Sequence, residues 1–189
     1  FDNSFKAGTG ADNTIWCLTP LPDGKILIGG VFKSYNGVAD SRIVRLEPDG
    51  ELDQSFVPQV AGNVSTIAPL DDGKIIIGGL GLIAGHPGRK LVRLNADGSF
   101  DDSFGGETYN RAVVTVAVQA DGKVLAGGRF TIVASKRHSG LVRLTADGKL
   151  DDSFDIGSGA PAAVLGIAVQ PDRKILVAGE FRKSKLMLV

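Results

Sequence analysis

The sequence predicts an all-β fold made of four copies of one small sheet, because three landmarks recur in step along its 189 residues. The first is LDxSF, found as "LDQSF" at Leu52–Phe56, "FDDSF" at Phe100–Phe104, "LDDSF" at Leu150–Phe154 and an opening "FDNSF" at Phe1–Phe5. The second is "PDGKILIGG" from Pro22, which returns as "DDGKIIIGG" from Asp71, "ADGKVLAGG" from Ala120 and "PDRKILVAG" from Pro171. The third is "IVRLEPDG" from Ile43, "LVRLNADG" from Leu91 and "LVRLTADG" from Leu141. LDxSF starts at residues 1, 52, 100 and 150, a period of 51, then 48, then 50. A shared period takes precedence over other readings of a chain. The repeat units run approximately 1–51, 52–99, 100–149 and 150–189, in one domain.

Each unit reads as four short strands. The first is apolar: Ile15–Leu21, Val64–Leu70, Val113–Gln119 and Val164–Gln170. An Asp-Gly turn leads into the second, "KILIGG" and its copies; a variable stretch precedes the third, "IVRL"; a further Asp-Gly turn leads into LDxSF. Runs of Val, Ile and Leu punctuated by Pro, Asp and Gly are strand and hairpin signals. In "RLEPDGELD" a type I turn with Gly50 left-handed gives the three-residue loop Pro48–Gly50. That register sets Leu46 opposite Leu52 and Arg45 opposite Asp53, and likewise Arg93 opposite Asp101 and Arg143 opposite Asp151. The motif then reads as a cross-strand staple, with Asp on one face and its Leu or Phe neighbour on the other.

Four-stranded units of about 50 residues match the blades of a β-propeller. The paired glycines Gly29–Gly30, Gly78–Gly79 and Gly127–Gly128 suit close approach of neighbouring sheets. The small Thr19, Ala68, Ala117 and Ala168 at one matched position suit tight blade packing. A β-solenoid is the competing architecture, but its coils are shorter and lack antiparallel Asp-Gly hairpins. The combination of LDxSF, PDGKILxGG and RLxxDG resembles the delta-60 repeat family, the tandem propeller-type repeats of bacterial secreted and cell-surface proteins. The resemblance covers essentially the whole chain and implies no catalytic residues. It departs in the fourth unit, where Arg173 replaces the turn glycine, Ala178 the first paired glycine, and "KLMLV" lacks the arginine. In unit two Gly81 stands where the others have Phe32, Phe130 and Phe181.

Composition narrows the function classes. With 21 basic and 21 acidic residues there is no net field to draw in nucleic acid or an anionic membrane. The longest apolar runs, such as Ala112–Val118, fall well short of a bilayer span, so no membrane insertion is expected. The single Cys17, beside Trp16 in an apolar stretch, reads as a small core residue. The carboxylate pairs Asp71–Asp72, Asp101–Asp102 and Asp151–Asp152 each fall on a repeated landmark, whereas an active site is normally single. "GGLGLIAG" at Gly78–Gly85 contains a weak dinucleotide pattern, but "HPGRK" follows where a helix is needed. No Cys/His spacing or calcium loop is present, so no metal or cofactor is expected.

What varies between units is loop sequence, and variable loops on a rigid scaffold are where binding is usually found. Those loops carry Tyr35, Asn36, His86, Arg89, Tyr109, Arg111, Arg137 and His138, groups able to stack on or hydrogen-bond a sugar or a peptide. The expectation is a non-enzymatic binding or scaffold module, secreted or at the cell surface by the resemblance, with a protein or glycan ligand. The alternatives are a polysaccharide-acting enzyme with its site at the propeller mouth, and a purely structural spacer. Because the chain opens on a fourth strand and stops near a third, a part of a larger ring is expected. Further blades or another chain would then cover its open edges.

Overall fold

The computed structural model describes residues 4–6, 8–39, 42–80, 88–156, 160, 162–181 and 186–188. Unit one contains β1 (Ile15–Pro20), β2 (Ile26–Gly30), β3 (Ser34–Tyr35), β4 (Val38–Ala39) and β5 (Ile43–Leu46). Unit two contains β6 (Asn63–Pro69), β7 (Ile75–Leu80) and β8 (Leu91–Leu94). Unit three contains β9 (Val113–Val118), β10 (Val124–Gly128), β11 (Ile132–Val133), β12 (Lys136–Arg137) and β13 (Leu141–Leu144). Unit four contains β14 (Val164–Val169), β15 (Ile175–Gly179) and β16 (Leu186–Leu188). Each unit makes one antiparallel sheet in the order first, second, third strand: β1-β2-β5, β6-β7-β8, β9-β10-β13 and β14-β15-β16.

The first hairpins close on a left-handed glycine, with φ of 85° at Gly24, 81° at Gly73 and 78° at Gly122. Arg173 holds the same corner at φ 68°, a conformation in which its Cβ crowds the backbone.

The fourth strand is shorter than the sequence suggests. LDxSF adds a single bridge to each sheet, Leu46 to Leu52, Leu94 to Phe100 and Leu144 to Leu150. The Asp53 amide donates to the Arg45 carbonyl at 2.9 Å, and the chain then turns away. The reason is local: the Asp53 carboxylate accepts from the Ser55 amide (2.9 Å) and hydroxyl (2.6 Å), bonds that compete with a ladder. Two of the variable loops in turn contain hairpins, one announced by its Asn-Gly pair and the other, at Ala134–Ser135, by no turn signal in its sequence. β3 and β4 pair across Asn36–Gly37 (φ 50° and 78°), β11 and β12 across Ala134–Ser135 (φ 49° and 62°). Left-handed pairs of this kind match the twist of two-residue hairpins.

Three of the four apolar clusters lie between consecutive sheets; the fourth, Ile28, Phe32, Tyr35 and Leu46, lies within unit one. Leu27 and Ile43 of unit one pack with Val64, Ile67, Ile77 and Val92 of unit two, and the same arrangement joins units two to three and three to four. The first paired glycine makes this possible. A Cβ at Gly29, Gly78 or Gly127 would stand 2.7, 2.8 or 2.6 Å from a γ-carbon of Val64, Val113 or Val164 in the following unit. Ring closure through residues 1–5 and 186–189 involves residues outside those described, as does His86.

Candidate functional site

The repeated motifs converge at the outer part of each sheet. Arg45 Nε lies 2.6 Å from Asp53 Oδ2, and the Lys25 ammonium lies 2.8 Å from the same oxygen. The counterparts are Arg93 and Lys74 on Asp101 (2.7 and 2.7 Å) and Arg143 and Lys123 on Asp151 (2.8 and 3.0 Å). Each guanidinium lies over the motif's own phenylalanine, 4.7 Å from the Phe56 ring centre, 4.8 Å from Phe104 and 4.5 Å from Phe154. It also reaches onward: Arg45 Nη1 donates to the Ala96 carbonyl at 2.7 Å and Arg93 Nη1 to the Ala146 carbonyl at 2.9 Å, both in the next unit's turn. Phe56 and Phe104 press on that turn's glycines, Gly98 and Gly148, while the Val57 and Gly105 amides donate to Asp97 and Asp147. Phe5 and Lys6 dock on Gly50 and Asp49 in the same way. The staple is therefore a clamp between units.

Burial alone would raise the Asp53 and Asp101 carboxyls. The lysine, serine and arginine around each outweigh it and hold both well below the ordinary carboxylate range. Asp151 is held low first by the Ser153 hydroxyl and then by Lys123. Burial pushes the Cys17 thiol up to about 12, and its Sγ faces the Val64 carbonyl of unit two.

Because LDxSF leaves its sheet early, a groove opens beside the third strand. In unit one it encloses about 640 Å³ between β5, the β3–β4 hairpin and the connection Phe56–Ala61. Buried Ile43, Phe56 and Val60 form the floor, Val44 and Leu52 the half-buried walls, and exposed Val38 and Val57 the rim. Lys33 and Arg42 stand at the mouth. A related groove of about 490 Å³ in unit three is more polar, lined by Arg137, His138, Asp152 and Phe154. His138 Nε2 there is buried without a partner among the described residues.

The residues singled out from sequence do not form one site. Tyr35 is buried, edge-on to Phe32 with centroids 6.4 Å apart, and Tyr109 is buried against Phe130 at 5.1 Å. Neither ring presents a face to a ligand: Tyr35, itself on β3, packs into the cluster of Ile28, Phe32 and Leu46, and Tyr109 pairs with Val133 of β11 and packs in the core between units two and three. Asn36 serves the backbone, accepting from the Gly10 amide at 2.8 Å. Arg89 bridges to Thr108, Arg111 is exposed, and Arg137 and His138 line a groove. The unit-one groove has no early signal except the apolar residues that follow a repeated Phe. Among the described residues no cluster of His, Cys, Asp or Glu is placed to hold a metal.

The family described as "Domain of unknown function (DUF5122) beta-propeller" matches residues 21–56, 70–104, 119–154 and 170–185, well over half the chain. The chain belongs to this family. The first three DUF5122 matches run from the first hairpin through the clamp phenylalanine; the connection Val57–Ala61, which forms one side of the groove, lies outside them. No curated protein matches the chain. Among solved structures, it is similar to the extracellular domain of the one-component system BT4673 from B. thetaiotaomicron: TM-score 0.60, 17% identity, all of this chain and 22% of that one. It is similar to the WD40 β-propeller domain of Doa1, with TM-score 0.63 and 14% identity over 94% of this chain and 50% of that one. It is also similar to PorZ, a surface component of the type-IX secretion system of Porphyromonas gingivalis, with TM-score 0.57 and 13% identity over 93% of this chain and 26% of that one. At these identities the likeness is one of fold, and the DUF5122 chain spans half or less of each relative.

Proposed function

We propose that the chain is a non-catalytic propeller module of the delta-60 type, extracellular or at the cell surface, which binds an extended segment of a protein partner in the unit-one groove. The groove carries this reading: an apolar floor with a cationic mouth suits a short apolar stretch followed by an acidic residue. A glycan ligand loses its support with Tyr35 and Tyr109 buried, since sugars are held by stacking on open rings. The non-catalytic reading is supported by the tasks of Asp101 and Asp151, whose carboxylates each bind two cations and a serine hydroxyl. An extracellular setting is supported by the extracellular domain and the surface component among the similar folds.

Panning a library of displayed octapeptides against the wild type and against the double variant Lys33→Glu/Val57→Glu tests this directly. Both side chains are exposed, so the variant keeps the fold. Enrichment of apolar–acidic peptides on the wild type, lost on the variant, is the expected result. Equal enrichment on both proteins, or none on either, would overturn the groove as the site.

A further inference from the structure

After its clamp phenylalanine each unit sends a connection past the third strand, and in unit two that connection folds back onto the sheet. Gly106, two residues beyond Phe104, takes φ 52°, and a Cβ there would stand 3.3 Å from the Leu91 carbonyl oxygen. Thr108 then pairs antiparallel with Arg89, and the Tyr109 amide donates to the Gly88 carbonyl at 3.2 Å. Residues 106–108 thus lie as a short strand beside the start of β8, running against its direction from Leu91 toward Arg89.

Units one and three do not follow that path. Pro58 and Ile156 hold the position of Gly106, each two residues after its clamp phenylalanine, and neither takes a positive φ. A proline ring fixes φ at about −65°, and a β-branched side chain fits the left-handed region poorly. The space that unit two fills with its own chain stays open in both, as the groove of about 640 Å³ beside β5 and the one of about 490 Å³ beside β13. Unit three has a neighbour on each side, so such a groove does not depend on standing first in the array.

The edge that faces the unit-one groove is set by the ladder. The Gly30 amide takes the Arg42 carbonyl at 3.0 Å. Alternate residues of an antiparallel pair bond inward, so Val44 and Leu46 serve β2 while Ile43 and Arg45 turn their backbone groups outward. LDxSF engages the Arg45 carbonyl through the Asp53 amide, at 2.9 Å, and then departs. A chain laid here in the sense seen in unit two passes from the apolar floor at Ile43 out to the mouth. There the Val31 carbonyl anchors the Arg42 guanidinium, and neither Arg42 nor exposed Lys33 is paired with a carboxylate among the described residues.

We infer that the partner segment is added to unit one as an antiparallel strand, in the place that residues 106–108 take in unit two, with apolar residues over Ile43 and Phe56 and its acidic residue last, at Arg42 and Lys33. This rests on the groove being a peptide site, and adds to it a direction and a mode of binding. Main-chain bonds to an open edge hold such a ligand, and its alternate side chains give selectivity. Pro58 is then the residue that keeps the chain's own connection out of the site.

Fluorescence polarisation with a labelled octapeptide, Gly-Ser-Gly-Ser-Val-Leu-Val-Asp amidated at its C-terminus, reads the mode. The reversed sequence, of the same composition, is expected to bind about tenfold or more weakly. N-methylation of single amides in the apolar stretch is expected to abolish binding at alternate positions only, since alternate amides face the edge. Pro58→Gly lets the connection enter the groove and is expected to weaken binding about tenfold or more; Pro58→Ala, which removes the ring without favouring positive φ, is expected to weaken it less. Equal binding in both directions, indifference to every N-methyl group, or full binding by Pro58→Gly would overturn the added strand, and the groove would stand as a peptide site if Lys33→Glu/Val57→Glu still abolished binding. Failure of both peptides to bind the wild type would overturn the groove and the strand together.

Discussion

Asp101 shows what one residue of the repeated motif does. Its carboxylate joins Lys74 of the first hairpin to Arg93 of the third strand, and accepts the amide and hydroxyl of Ser103. Removing it leaves two cations facing each other in a largely dry site, at a cost of about 3 kcal/mol. Arg93→Ala leaves Lys74 to balance the charge and loses hydrogen bonds and ring contact, so about 2 kcal/mol is expected. Denaturant unfolding of the two variants measures both. The pH dependence has a definite sign. A carboxyl held below its unfolded value of about 4 contributes stability above that pH, and the contribution disappears as pH falls toward the folded value. The wild type should therefore lose stability below about pH 4 more steeply than Asp101→Ala does. Equal slopes would remove the clamp's electrostatic role.

At the scale of elements, the hairpin corners separate what local chemistry decides from what it does not. The register of Arg45 with Asp53 was legible because a three-residue turn with a left-handed glycine permits one pairing, and the coordinates show that pairing. The fourth-unit corner keeps the same geometry with Arg173 at φ 68°. Arg173→Gly should therefore raise stability by about 1 kcal/mol, read as a shift in the denaturation midpoint. A loss of stability would mean that the arginine side chain makes a compensating contact. Other features depend on neighbours that no single unit reveals. The Ala96 carbonyl that receives Arg45 belongs to the next repeat, and the hairpins that carry Tyr35 and meet Tyr109 have strands only two residues long. In such short elements a buried tyrosine and an open one look alike, so loop position alone does not tell a packing ring from one that faces solvent. The groove arises because LDxSF turns out of its sheet, a consequence of Ser55 and its copies that the bare alternation of residues does not convey.

For the whole molecule, the arrangement of cores has one main consequence: stability belongs to the junctions between units. Val64, Ile67 and Phe56 are buried by neighbours from another unit, as in a repeat array whose energy is a sum of unit and nearest-neighbour contributions. The clamp phenylalanine is the most direct probe, because Phe104 ends the motif that bridges to β8 of unit two yet packs in the core with Val113, Val124 and Val142 of unit three and on Gly148. Phe104→Ala should cost about 3–5 kcal/mol. Native-state amide hydrogen exchange on this variant tests the account at its centre. Protection is predicted to fall together in β7–β8 and in β10–β13, on both sides of the junction. Loss confined to unit two, with β10 and β13 keeping wild-type protection, would contradict it.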